Sequence, residues 1–236
     1  MAQGDSPQAI LFDVGGTLFE CRPSVAEIYA RVLSRLGGPV SAEEVAPVFR
    51  RVWSELTQLH PRGLDRYHRF KGNEWEWWGE FVRRVLGELG HPAQWEQALR
   101  ELMDAFADPA LWHVFPEVPE VLARLKALEK RLAVVSNWDS RLPALLARLE
   151  LSAFFDEILI SALEGVEKPG VEIFMRAAAR LGVTPARCVH VGDSPLDDYR
   201  GAESAGMRAV LVDRSGIFDD GYVRVADLRG LYDLIG

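Results

Sequence analysis

The sequence has little cysteine and little lysine. Cys21 and Cys188 are its only two cysteines, and their wide separation gives neither a disulfide framework nor a zinc-binding spacing. Two free thiols suit a reducing compartment. Lysine occurs only at Lys71, Lys126, Lys130 and Lys168, so arginine supplies most of the 27 basic residues. No apolar run approaches the roughly 20 residues that a membrane span needs. The stretch Met1–Gln8 is short, polar and contains proline. It lacks the basic-then-apolar order of a secretory signal, so a cytoplasmic protein with no membrane partner is expected. Positive charge is the scarcer sign, with 27 basic against 35 acidic residues and a formal net charge of -8. That balance argues against nonspecific nucleic-acid binding, which needs a positive surface. A small anionic substrate would need local positive charge or a metal.

What is present is an ordinary globular composition, 48% hydrophobic and 26% charged over 236 residues. The length suits one large domain or one domain with an insert. Five short apolar runs read as buried strands: AILFD (9–13), LAVVS (132–136), EILIS (157–161), CVHVG (188–192) and AVLVD (209–213). Between them lie amphipathic helical stretches, with Gly182 and Gly206 as helix stops. Continuous apolar strands separated by helices indicate a parallel sheet covered on both faces. From about Pro23 to about Asp108 no strand-like run occurs, and helical periodicity dominates. Six of the seven tryptophans fall between Trp53 and Trp112. The expected fold is α/β, a Rossmann-like parallel-sheet core with an inserted all-helical cap. Residues 1–20 and 109–236 form the core and 21–108 the cap, with hinges near residues 19–22 and 108–113. The polar stretch LHPRGLDRYHRFKGN (59–73) is expected to be a loop. Tryptophans on the cap helices are read first as packing.

In open parallel sheets, chemistry gathers beyond the carboxyl ends of the strands. Here each such end carries polar residues. DVGGT places Asp13 before Gly15, Gly16 and Thr17. The glycines let backbone N–H groups approach an anion, and Thr17 adds a hydroxyl. A carboxylate beside such a cradle suits a nucleophile or a metal ligand. SNWD offers the Ser136 hydroxyl and a main-chain N–H at Asn137 for an anionic oxygen. Lys168, held before Pro169, could neutralise charge on a reacting group. GDSPLDD gathers Asp193, Asp197 and Asp198 at one strand end. Clustered carboxylates repel one another and persist most readily around a hard cation such as Mg2+. Each stretch also has a plain structural reading as a turn, a cap or a solvated charge.

Taken together, the four stretches resemble in order and spacing the four motifs of the haloacid dehalogenase superfamily, across nearly the whole chain. FPEVPEVLARLK, SNWDSRL, FFDEILIS, KPGVEIF and HVGDSPLDDYRGAESAGM resemble the branch of haloacid dehalogenase-like hydrolase domain-containing protein 3 and rhythmically expressed gene 2 protein. The resemblance implies Asp13 as nucleophile and Ser136 and Lys168 as catalytic partners. It implies Gly16, Thr17 and Asn137 as phosphate-binding positions, and Asp13, Asp193 and Asp198 as ligands of Mg2+. It implies a hydrolase acting on a small phosphorylated substrate through an aspartyl phosphate on Asp13, as a monomer or homodimer.

The chain departs from the pattern at one place. Phosphatases of the superfamily carry a second aspartate two residues after the nucleophile, which protonates the leaving group and then activates water. Gly15 stands there. The expected result is a weakened phosphatase that favours good leaving groups. Glu20, His60, Asp65 and His68 are conceivable substitute acids. Two other readings stay open. One is a non-catalytic protein that binds a phosphorylated metabolite. The other is a 2-haloacid dehalogenase, which needs no leaving-group acid but also no metal. Phosphonate cleavage would require a Schiff base on the cap lysine, Lys71.

Overall fold

The computed structural model describes residues 6–59, 63–69 and 73–235. His60, Lys71 and the side chain of His68 lie outside the described residues. The chain first forms β1 (Ala9–Phe12), buried at all four positions. A three-residue strand β2 (Phe19–Cys21) follows.

Helices then take over. Ser24 caps α1 (Val25–Arg35), with Glu27 reaching back to the cap. Ser41 and Glu44 do the same for α2 (Ala42–Gln58). Each is a reciprocal capping box, which satisfies two otherwise orphaned N–H groups. The short α3 (Arg66–Arg69) interrupts the stretch expected to be a loop. Asn73 caps α4 (Glu74–Glu88), and α5 (Trp95–Ala107) completes the set. Their apolar faces meet through aromatic rings. Trp77 is fully buried and stacks on Phe81 at 5.7 Å, while Trp53 meets Trp77 edge-on at 5.5 Å. Trp75, two residues before Trp77, points the other way on the helix and is 46% exposed. The tryptophans serve mainly as packing, as their helical spacing suggested.

The chain returns through β3 (Trp112–Val114), which pairs with β2 in a two-stranded ribbon. Strands this short show no alternation, so none was legible there. Helix α6 (Val118–Ala127) leads to β4 (Arg131–Ser136), and α7 (Leu142–Arg148) to β5 (Glu157–Ile160). The one-turn α8 (Ser161–Glu164) and then α9 (Val171–Arg180) precede β6 (Cys188–Gly192). A π-helical turn, Pro195–Arg200, runs into α10 (Gly201–Ser204) and β7 (Arg208–Val212). The end is β8 (Arg224–Val225) and α11 (Leu231–Ile235).

The main sheet has six strands in the order β5-β4-β1-β6-β7-β8, all paired in parallel. Ala9, Leu11, Ala133, Val135 and Leu211 face one way and pack with Ile173, Phe174, Ala177 and Ala202 of α9 and α10. Because β1 lies between β4 and β6, the chain leaves it in opposite directions. That arrangement opens a crevice at the carboxyl end of β1.

Contacts divide the chain into two compact units: Met1–Glu20 with Arg62–Asp65 and Val114–Gly236, and Cys21–Pro61 with Arg66–His113. The first unit thus includes a piece of the expected loop. Leu64 forms an antiparallel bridge to Val166, and Gly63 lies so close to Gly170 that a Cβ on Gly63 would stand 2.9 Å from the Gly170 Cα. No described helix is long and apolar enough to cross a membrane.

Candidate active site

Strand ends deliver the site residues. Asp13 follows β1, Ser136 ends β4, and Asp193 follows β6. The π-helical turn swings Asp198 back beneath Gly192, a geometry that recurs at functional sites. Ser194 fixes that turn, its Oγ accepting from the Asp197 N–H at 3.1 Å.

One oxygen of Asp13 is held from two sides. Ser136 Oγ donates to Oδ1 at 3.0 Å, and Lys168 Nζ donates to the same atom at 2.6 Å. Lys168 also donates to Asp198 Oδ1 at 2.6 Å. An ammonium buried this deeply survives only when paired. Burial works against its charge, but Asp13 and Asp198 more than offset that and hold its pKa above the usual lysine value. Burial pushes Asp13 up despite Lys168. Burial opposes the charge on Asp198 too, yet Lys168 and the bond from His190 keep its carboxyl well below the usual range.

Asp193 differs from its neighbours. Burial and the nearby Asp13 and Asp198 carboxylates push its pKa up to about 7. The three acids can each offer an oxygen within 4.8 Å of the others. Ionised, they set three negative charges against the single ammonium of Lys168. This all-oxygen, over-acidic donor set fits a hard divalent cation. Asp197 lies outside the trio.

Two glycines make the trio sterically feasible. Gly16 has φ +72°, and a Cβ there would stand 2.8 Å from the Asp193 Cγ. On Gly192 a Cβ would stand 2.6 Å from the Asp198 Cβ. Gly192→Ala is therefore expected to destabilise the protein by about 1–3 kcal/mol, the range for overpacking. A lowered urea midpoint checks this, and an unchanged midpoint would contradict the packing of Asp198 on the strand. Gly15 is different: a Cβ there meets only the Trp138 ring edge at an ordinary 3.5 Å.

Two side chains at expected phosphate-binding positions have other surroundings. Thr17 is completely buried and its Oγ1 has no hydrogen-bond partner among the described residues. The Asn137 side chain is occupied. Its Nδ2 donates to the Lys168 carbonyl at 2.9 Å and its Oδ1 accepts from the Lys168 N–H at 2.8 Å. Asn137 therefore positions Lys168, and only its main-chain N–H remains for an anion.

Other contributors were not singled out from sequence. His190 lies within β6 and is fully buried, its Nε2 2.8 Å from Asp198 Oδ1. Burial depresses its pKa despite Asp198, so the neutral ring donates through Nε2 to the ionised carboxylate. A polar residue inside the apolar run CVHVG was the available signal. Arg214 sits just beyond β7. It donates to the carbonyls of Gly16 and Thr17 at 3.2 and 2.8 Å, pairs with buried Glu117 at 2.7 Å and covers the Phe115 ring. These bonds clamp the loop that presents Asp13. The thiol of Cys188 is pushed up to about 11 by burial and is structural.

Comparison with known proteins identifies the family. A model of the haloacid dehalogenase-like hydrolases matches residues 7–206. The chain is 35% identical over 208 residues to haloacid dehalogenase-like hydrolase domain-containing protein 3 of Danio rerio, covering 87% of this chain and 84% of that one. It is 33% identical over 227 residues to the glyceraldehyde 3-phosphate phosphatase of Methanopyrus kandleri, covering 90% and 86%. The fold matches that of the HAD-hydrolase YfnB from Bacillus subtilis, solved bound to magnesium, with a TM-score of 0.78 at 19% identity over 98% and 99% of the two chains. The four stretches at the strand ends, their meeting around Asp13 and the length of the match lead to one conclusion: this chain belongs to the haloacid dehalogenase-like hydrolases, in the branch of domain-containing protein 3.

Proposed function

We propose that the protein is a Mg2+-dependent phosphatase that forms an aspartyl phosphate on Asp13 and favours substrates with good leaving groups. The observation that carries this reading is the double grip of Ser136 and Lys168 on one Asp13 oxygen. It orients a carboxylate for attack while Lys168 supplies positive charge beside the reacting centre. Asp13 attacks phosphorus, and the bond to the leaving oxygen breaks. Water then cleaves the aspartyl phosphate, releasing inorganic phosphate and restoring the carboxylate. The main-chain N–H of Asn137 suits a phosphoryl oxygen, with Ser136 and Lys168 beside it, whereas the Gly16 N–H already donates to the Phe19 carbonyl at 2.9 Å. Asp13, Asp193 and Asp198 would hold the cation, which supplies charge neutralisation when bound. The helical unit, residues 21–108 by the sequence reading, would act as the cap. The phosphatase-named relative from Methanopyrus kandleri and the excess of acids over ammonium both favour phosphate chemistry over halide displacement.

No side chain at position 15 can protonate the departing oxygen. Nitrophenyl phosphate, whose leaving group needs no proton, is expected to turn over about 10²–10⁴ times faster than alkyl phosphates, the usual worth of general acid catalysis. Phosphate release from both, with and without Mg2+, tests the proposal. Equal rates would show that another group supplies the proton, and no release from any ester would overturn the phosphatase reading.

The metal dependence carries a pH signature. Without a cation Asp193 takes up its proton near pH 7, well above an ordinary carboxylate. Below that pH a proton competes with Mg2+, so affinity is expected to fall about tenfold per pH unit. Above pH 7 it should level off. The same shift means that the metal-free fold binds a proton which the unfolded chain has already lost. Its contribution to stability therefore declines as pH rises from the ordinary carboxylate range to about 7. Calorimetric Mg2+ titrations from pH 5 to 8 measure the first effect. Affinity independent of pH would remove Asp193 from the ligand set.

A further inference from the structure

The end of the sheet opposite Asp13 carries charge of the other sign. Strands β4 and β7 begin with Arg131 and Arg208, and Arg187 directly precedes β6. The register places Arg131 and Cys188 on either side of Ala9, and Arg208 across from Val189. Three arginines thus stand at one end of the sheet, those of β6 and β7 on adjacent strands about 4.8 Å apart and that of β4 on the far side of β1, about twice as far from β6. Lys130 joins them from the turn after α6. In a chain of net charge -8, this is a local reversal of sign.

The cluster surrounds a cavity of about 410 Å³, lined by Lys130, Arg131 and Arg187 together with Ser6, Gln8 and Gly182. That volume lies in the range of small-molecule sites. Lys130 donates to Ser6 Oγ and to the Pro7 carbonyl, both at 2.8 Å, which fixes its ammonium and leaves a third N–H. Arg131 is steadied by a bond to the Leu181 carbonyl. The partial burial of Lys130, and its repulsion by Arg187 and Arg208, depress its proton affinity. An anion in the cavity would relieve that repulsion. The lining acid, Glu129, is exposed and sits in a left-handed turn at φ 56°. Asp156 near Arg131 is already bonded by Lys126 at 2.8 Å.

We propose that this cavity is a second anion site, which binds a small molecule carrying two or more phosphate groups. Several cations spread along one strand edge match several charges better than one, and arginine forks suit phosphate oxygens. The site is separate from the catalytic cluster: the four residues of β1 put about 13 Å between them.

Inorganic pyrophosphate in divalent-free buffer is the probe. Without metal the catalytic cluster holds three carboxylates around one ammonium and repels it, so binding reports on the opposite edge. Calorimetry on the full chain should show one pyrophosphate per chain, held more tightly than orthophosphate and weakened by added salt. The Lys130→Ala, Arg131→Ala double variant should lose about tenfold or more in affinity, the factor carried by one charge-assisted hydrogen bond. Arg208→Glu changes an exposed residue outside the lining whose charge acts on Lys130; it should leave the fold intact and also weaken binding several-fold. Absence of binding by the wild-type chain would overturn the proposal, as would equal binding by folded variants of both kinds.

Discussion

Asp13→Asn is expected to stop phosphate release while leaving the protein folded and at least as stable. An amide cannot attack phosphorus, so the loss should be at least about 10³-fold, in line with removing a nucleophile elsewhere. The amide oxygen can still accept from Ser136 Oγ and Lys168 Nζ, which now meet at Asp13 Oδ1. The substitution also removes one of three crowded negative charges, and with it part of what pushes Asp193 up to about 7. Lys168→Met should behave in the opposite sense. It leaves Asp13 and Asp198 buried without their shared counter-charge, and breaking such a pair costs about 3–5 kcal/mol. Thermal unfolding separates the two variants: stability maintained in the first, lost in the second. An Asp13→Asn protein that still releases phosphate would end the aspartyl-phosphate proposal. A wild-type protein that binds phosphate analogues but releases none from any ester would be the non-catalytic binder.

The sheet and much of the site were legible because both leave marks of composition. Strands buried on both faces must be mostly apolar, and AILF, LAVVS, EILI, CVHVG and AVLV each show such a run. Carboxylates at strand ends interrupt that pattern abruptly, which is why Asp13 and Asp193 stood out. What could not be read was direction and contact. Thr17 and Asn137 have the right chemistry and positions, but only the folded structure shows the one buried without a partner and the other side chain bonded to the Lys168 main chain. His190 could not be singled out within its strand because its partner, Asp198, is eight residues away and returns through a π-helical turn. Arg214 was lost among many arginines, since its clamp on Gly16 and Thr17 spans nearly the whole chain. Gly63–Asp65 read as loop because a short bridge to Val166 carries no periodic signal.

Gly15→Asp is expected to speed the hydrolysis of alkyl phosphates by about 10²–10⁴-fold, the worth of a well-placed general acid, and to change nitrophenyl phosphate turnover far less. The adjacent glycines show why the substitution is feasible at one position only. Gly16 is held at φ +72° and would drive a Cβ into Asp193, whereas position 15 is outside the left-handed region and meets only the Trp138 ring edge at 3.5 Å. A carboxyl added two residues from Asp13 would bring a further negative charge to the end of β1, and like charges raise a carboxyl's pKa. That shift favours the protonated form which an acid needs for the departing alkoxide. Gly15→Asn is the matched control. It fills the same space and can donate a hydrogen bond, but it cannot deliver a proton, so it should leave alkyl phosphates slow. If the Asp and Asn variants gain equally, the benefit is packing against Trp138 and not proton transfer. If neither gains although both fold, the proton already comes from elsewhere, and Gly15 is not what limits the reaction.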